Sequence, residues 1–125
     1  MRELFAVIVG AIAGTGIRFG LDTLMPHGDR QFPLSTLIIN VVGAFALGFL
    51  VARVWPTASA WLKAGLGAGL LGSFTTFSAV AVSFVALAQS DLLWLAAVYL
   101  VVSVALGFVG AFVGIRLGTR REVTA

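Results

Sequence analysis

Apolar residues run along this chain in four long blocks separated by short polar interruptions. The first block extends from Leu4 to about Leu24 and gives way to Met25-Pro26-His27-Gly28-Asp29-Arg30, where Pro and Gly break any helix. The second runs from about Leu34 to Val54 and is closed by Trp55-Pro56, with Thr57 to about Lys63 as a short connector. The third runs from about Trp61 to Ala88 and ends at the turn Gln89-Ser90-Asp91. The fourth covers about Leu92–Leu117, ahead of the tail Gly118–Ala125. A helix needs roughly 20 apolar residues to cross a bilayer, and every block reaches that length. The pattern predicts an all-α integral membrane protein, with residues 1–125 forming one four-helix membrane domain. The first block is too long for a signal-peptide core and lacks a cleavage site, so it is expected to stay in the mature protein.

Composition agrees. Sixty per cent of residues are hydrophobic, 10% are charged, and the mean hydropathy is +1.09. A soluble domain is about 45–50% apolar and about 25% charged, so this chain cannot cover a globular surface with polar groups. Four spans of about 20 residues leave no room for a separate soluble domain. One four-helix unit is also too thin to enclose much of a pathway, so an oligomer is expected.

Charge excludes several function classes. The eight Lys and Arg residues are scattered from Arg2 to Arg121 with no basic stripe, which argues against nucleic acid as a partner and for lipid headgroup contact. There is no Cys and only one His, so a catalytic metal site has almost nothing to be built from. Glu3, Asp22, Asp29, Asp91 and Glu122 all lie at or beyond span ends. A proton-coupled exporter needs a titratable group inside the membrane, and a small multidrug exporter relies on a glutamate in its first span. The first span here has none.

The polar groups that remain inside the spans are few. Asn40 sits mid-way along the second span, with Thr36 one turn earlier on the same face. A mid-membrane amide is costly unless paired, so Asn40 is either an interhelical hydrogen bond or a donor lining a pore. Tyr99, Ser103 and Gly107 share one face of the fourth span at i, i+4 and i+8, and either line a wet path or serve helix packing. Arg18, near the end of the first span, either snorkels to headgroups or stands at a pore mouth attracting anions.

The third span carries Gly69-Leu70-Leu71-Gly72-Ser73-Phe74-Thr75-Thr76-Phe77-Ser78 at its middle. Gly and successive hydroxyl residues are poor helix material. Two readings stand: an intact helix whose hydroxyls bond back to the preceding turn, or a broken helix lining a cavity whose freed carbonyls coordinate a cation. Elsewhere small residues recur at helix-packing spacing, as in Gly10 with Gly14, Gly65 with Gly69, and Gly110 with Gly114, which supports a tight bundle.

Together these residues resemble a known family. Gly10, Arg18 and Phe19, then Ser35-Thr36-Leu37 with Asn40-Val41-Val42-Gly43, then Gly72-Ser73-Phe74-Thr75-Thr76-Phe77-Ser78, then Tyr99, Ser103 and Gly107 look like the small bacterial fluoride channels of the CrcB or Fluc family. The resemblance spans essentially the whole chain. It implies an antiparallel dimer, one subunit inverted, with two fluoride pathways along the interface. It implies a third helix broken at mid-membrane, whose carbonyls at Gly72 and Thr75 hold a structural, untransported Na⁺. It places Asn40, Phe77, Tyr99 and Ser103 along the fluoride path. The reading of the residues adds Thr36 to that path and Arg18 to its mouth. Fluoride is small and strongly hydrated, so a pore must replace its water with amide and hydroxyl donors and the positive edges of aromatic rings. No chemical step is implied, so no enzyme is expected.

Two positions depart from the family pattern. Where a second aromatic is expected three residues after Phe77, the chain has Val80, and Ser83 stands where many relatives carry a glutamate. Charge is also one-sided. With four spans, Arg2, Arg53, Lys63, Arg116, Arg120 and Arg121 share a side, against Arg30 and Arg18. That bias predicts both termini in the cytoplasm of a cell membrane. Both departures favour a heterodimer, with an oppositely inserted family member supplying the missing ring, over an inverted homodimer. The leading expectation is passive export of F⁻ from the cytoplasm. The alternatives are a non-conducting accessory or scaffold subunit and, less strongly, a small proton-coupled exporter.

Overall fold

The computed structural model describes residues 1–119, and Arg120, Arg121 and Glu122 of the tail lie outside that range. Helix α1 covers Arg2–Leu24. Helix α2, Leu34–Phe49, runs on through a π-helical segment, Leu50–Val54. The third crossing is composite: α3 (Ala60–Lys63), a π-helical segment (Ala64–Leu71), a single turn α4 (Gly72–Phe74), a two-residue interruption, and α5 (Phe77–Gln89). Helix α6 covers Leu93–Gly118. Four stretches are long and apolar enough to cross a membrane: Arg2–Leu24, Leu34–Val54, Ala60–Gln89 and Leu93–Gly118.

The expected connector from Thr57 to about Lys63 is shorter than its composition suggested. Ser59 is extended and the helix resumes at Ala60. The third span is broken, which decides between the two readings of its Gly- and hydroxyl-rich middle.

Small residues hold the bundle in two tight pairs. Helix α1 lies against the first half of the third crossing, where a Cβ on Gly10 would strike the Gly65 carbonyl and one on Gly14 the Leu70 carbonyl. Helix α2 lies against α6, where a Cβ on Gly114 would strike the Phe45 carbonyl. With little hydrophobic drive between helices in lipid, such backbone approach is what gains dispersion contact. The core is correspondingly small. Leu37, Val80, Leu87, Ala96 and Tyr99 form one buried cluster, and Ile39, Leu71 and Phe74 another. Outside it, Phe5, Ile12, Phe19, Phe108 and Phe112 are exposed, the arrangement of a protein solvated by acyl chains. The chain is a multi-pass membrane protein.

The polar connections fix the ends. Arg30 Nη1 donates to the Ser90 carbonyl at 3.1 Å, tying the first loop to the turn after α5. Those two connections therefore share a face, opposite to the N-terminus and the Trp55–Ser59 turn.

Candidate functional site

The interruption of the third crossing organises the site. Thr75 and Thr76 are both extended, with ψ of 153° and 118°. Two backbone amides that would close a continuous helix are diverted. The Thr76 amide, which would bond the Gly72 carbonyl, donates to Asn40 Oδ1 at 2.8 Å. The Ala79 amide, which would bond the Thr75 carbonyl, donates to Thr76 Oγ1 at 3.2 Å, as Thr76 caps α5. The break thus removes the helical donors of the four carbonyls from Gly72 to Thr75, and these include the two positions that the family resemblance assigns to a cation.

Asn40 stabilises the break from across the bundle. Its Nδ2 donates to the Thr76 carbonyl at 2.9 Å, so one side-chain amide pairs with both ends of residue 76. Only one of the two Nδ2 hydrogens is used there, which leaves a second donor. Gly43, three residues on, makes room for the interruption: a Cβ there would strike Thr75 Cγ2 and approach Phe74 Cδ1 at 3.4 Å. Hydroxyls reinforce the helical side. Thr75 Oγ1 donates to Leu71 O at 2.9 Å, and Ser73 Oγ reaches Ala11 O on α1 at 3.1 Å and Gly69 O at 2.8 Å.

A groove of about 870 Å³ opens along this face. Asn40, Gly72, Thr75, Phe77 and Ser103 all line it, so the structure gathers five of the predicted residues. Phe77 is 75% exposed toward it, although it caps no core in the chain. No Asp or Glu lines the groove, and no group of three or more His, Cys, Asp or Glu residues that could hold a metal occurs among the described residues. A hard cation would find only carbonyl and hydroxyl oxygen here, which suits an alkali or alkaline-earth ion rather than a transition metal.

Tyr99 and Thr36 lie behind the groove wall. Tyr99 is fully buried and meets Phe32 edge-to-face with ring centroids 5.4 Å apart. The Thr36, Ser83 and Ser103 hydroxyls surround its own, yet neither Tyr99 Oη nor Ser103 Oγ makes a hydrogen bond of good geometry. Both unbonded hydroxyls belong to α6, and Thr36 on α2 with Ser83 on α5 completes the cluster beside a groove free of carboxylates. Arg18 is half-buried on α1 and is not part of the groove lining, so the structure does not bring it to the other predicted residues.

Ser83, read from the sequence as a minor change, is a member of the hydroxyl cluster. Its signal was available: Phe77, Val80 and Ser83 recur every third residue on α5. Val80 is 4% exposed, packed with Tyr99 in the core while also reaching the groove wall. Phe74 is buried with Ile39 and Leu71, and cannot stand in for the missing ring.

A profile of the family described as CrcB-like protein, Camphor Resistance (CrcB), matches residues 5–115. The chain belongs to the CrcB family. Its curated relatives include a fluoride-specific ion channel FluC of Idiomarina loihiensis, 38% identical over 119 residues and covering 94% of this chain and 92% of that protein. One from Parabacteroides distasonis is 35% identical and covers 94% of each chain. A third, FluC 2 of Halalkalibacterium halodurans, is 37% identical and covers 98% of this chain and 92% of its own. Family membership extends over all four crossings, and so over every residue of the groove.

Proposed function

We propose that this chain is a fluoride-specific ion channel subunit, and not an enzyme, that lets F⁻ leave the cytoplasm passively. The observation that carries the reading is the set of unpartnered hydroxyls, Tyr99 Oη and Ser103 Oγ, beside a groove that holds Asn40 and Phe77 and no carboxylate. Fluoride leaves water only for donors of comparable strength, and these groups, the second Asn40 hydrogen and the positive edge of Phe77 are such donors. The names of the curated relatives agree.

The groove is open on one side and an isolated chain leaves Phe77 uncovered. A second subunit, inverted, closes it. Gly107 supports this reading: it lines the groove, and a Cβ there would meet nothing within 4 Å in the chain itself. A glycine with no packing role inside its own subunit fits one that admits a neighbour. The Gly72 and Thr75 carbonyls, freed by the break, fit a Na⁺ shared with the same groups of the partner. Such an ion would add positive potential beside an anion path.

The partner we favour is a second family member, because Val80 presents no ring edge and because charge is one-sided. Among the described residues Arg2, Arg53, Lys63 and Arg116 share the side of the N-terminus, against Arg30 and Arg18. By the positive-inside rule that side is cytoplasmic in the cell membrane. The test is fluoride efflux from liposomes holding the purified chain, alone and with a second family member. Absence of flux in both would leave an accessory role, and coupling to a pH gradient would favour an exporter.

A further inference from the structure

A second groove, of about 570 Å³, lies between α1 and the first half of the third crossing and shares no lining residue with the first. Small residues create it. Ala6, Gly10 and Gly65 line it where the two helices come closest: a Cβ on Gly65 would lie 3.1 Å from Ala6 Cβ, and one on Gly10 would strike the Gly65 carbonyl. Larger side chains stand on either side, Phe5 and Val9 on α1 and Trp61 and Leu66 across from them. Phe5, Val9 and Trp61 are exposed, so the groove opens to the surroundings of the bundle.

The two helices run in the same direction, since Ala6 meets Gly65 and Gly14 meets Leu70. Arg2 and Trp61 therefore share one end of the groove, and Ala13 and Leu70 line the other. From Arg2 to Ala13 the helix rises about 16 Å at 1.5 Å per residue. That is close to half of the roughly 30 Å hydrocarbon core, so the groove is as long as one leaflet is deep.

Its ends differ in chemistry. Arg2 is exposed and is the one charged residue in the lining. Glu3 points about 100° round the helix from it and does not line the groove. Trp61 stands at the same end, and Trp is a residue of the headgroup level. The inner end is apolar. An empty groove in hydrocarbon would forfeit dispersion contact along its lining, and an acyl chain fills it. A guanidinium at headgroup depth pairs with phosphate through two parallel hydrogen bonds. A zwitterionic lipid brings its own cation to compete, whereas an anionic lipid leaves that place to Arg2.

We propose that this groove binds one anionic phospholipid from the leaflet on the N-terminal side, with an acyl chain along Gly10 and Gly65 and the phosphate on Arg2. The site is separate from the ion path, and the proposal does not depend on the channel reading.

The test is native mass spectrometry of the purified chain, released from detergent containing equal amounts of phosphatidylglycerol and phosphatidylcholine. One phosphatidylglycerol per chain is expected to be retained, favoured about fivefold, the effect of one Arg near an anionic surface. Arg2→Gln should bring the two lipids level. Arg53→Gln removes an exposed cation of the same side that does not line the groove, and should change nothing. Ala13→Phe blocks the inner end at an exposed position. Its melting temperature in lipid-free detergent should hold, while phosphatidylglycerol retention falls at least about tenfold, as losing contact with a few methylenes implies. Equal retention of the two lipids by wild type would overturn the proposal, as would unchanged retention in either Arg2→Gln or Ala13→Phe. A loss in Arg53→Gln equal to that in Arg2→Gln would overturn it too, since the charge of the whole face would then select the lipid. So would conversion of an oligomer to single chains by Ala13→Phe, which would make the groove a subunit interface. None of these readouts uses fluoride flux, so their failure leaves the channel reading untouched.

Discussion

Asn40 and the Thr76 backbone are paired through two hydrogen bonds, 2.9 Å from Nδ2 to the carbonyl and 2.8 Å from the amide to Oδ1. One side chain on α2 therefore does the work of a helical turn for the break in the third crossing. It also explains how an open backbone segment survives at membrane depth, where an unsatisfied amide or carbonyl costs several kcal/mol.

Replacing that amide by a carboxylate separates its two jobs from its size. Asn40→Asp still accepts from the Thr76 amide, but an ionised carboxylate faces the Thr76 carbonyl and adds a negative charge to the groove. Loss of one buried donor bond costs about 1–3 kcal/mol, and the charge opposes an anion directly. Fluoride efflux is expected to fall at least about tenfold while the protein still purifies as a folded species. Flux at the wild-type rate would mean that neither the bond nor the charge matters to conduction.

Gly43 leaves room for the methyl group of Thr75, and the two positions should be coupled. Gly43→Ala overpacks the break and is expected to cost about 1–3 kcal/mol, read as a lower melting temperature in detergent. Thr75→Ser removes Cγ2 and keeps the hydroxyl bonded to Leu71. The double variant should recover most of the loss. Additive effects in a double-mutant cycle would contradict the contact.

Tyr99 offers a split between structure and conduction. Its hydroxyl makes no well-formed hydrogen bond within the chain, so Tyr99→Phe removes a group that contributes little to folding there. Thermal stability is expected to hold within about 0.5 kcal/mol, while fluoride efflux falls several-fold. A destabilised variant with normal flux would make the hydroxyl a packing element instead.

Much of this was legible in the residues alone. The four crossings follow from apolar block length, and the glycine spacings foretold the close helix pairs. The break could not be decided from periodicity, because Ser73, Thr75 and Thr76 suit both a back-bonded helix and an open one. Ser73 and Thr75 do bond back to the preceding turn, and the opening comes only at Thr76, where Asn40 from another helix wins its amide. That is a tertiary contact with no local signature. Trp55 was read as a stop signal before Pro56; its place in the groove depends on a π-helical turn that hydropathy does not register.

Orientation can be read in a background without cysteine. Ser59 lies in the turn after Trp55 with no side-chain cap bond, and Gly28 lies in the first loop with nothing within 4 Å of a Cβ. With an impermeant thiol reagent on intact cells, Gly28→Cys should label fully and Ser59→Cys only after the cells are opened. Labelling of about half the molecules at each site would show both orientations and would favour an inverted homodimer.

The central claim is that the groove carries fluoride passively. Purified chain, alone and mixed with a second family member, is reconstituted into liposomes loaded with potassium fluoride, and efflux is followed with a fluoride electrode after addition of a potassium ionophore. The account predicts rapid fluoride efflux that requires the ionophore and is independent of any pH gradient, and no chloride efflux on a chloride electrode from liposomes loaded with potassium chloride instead. No fluoride efflux from either preparation would contradict it.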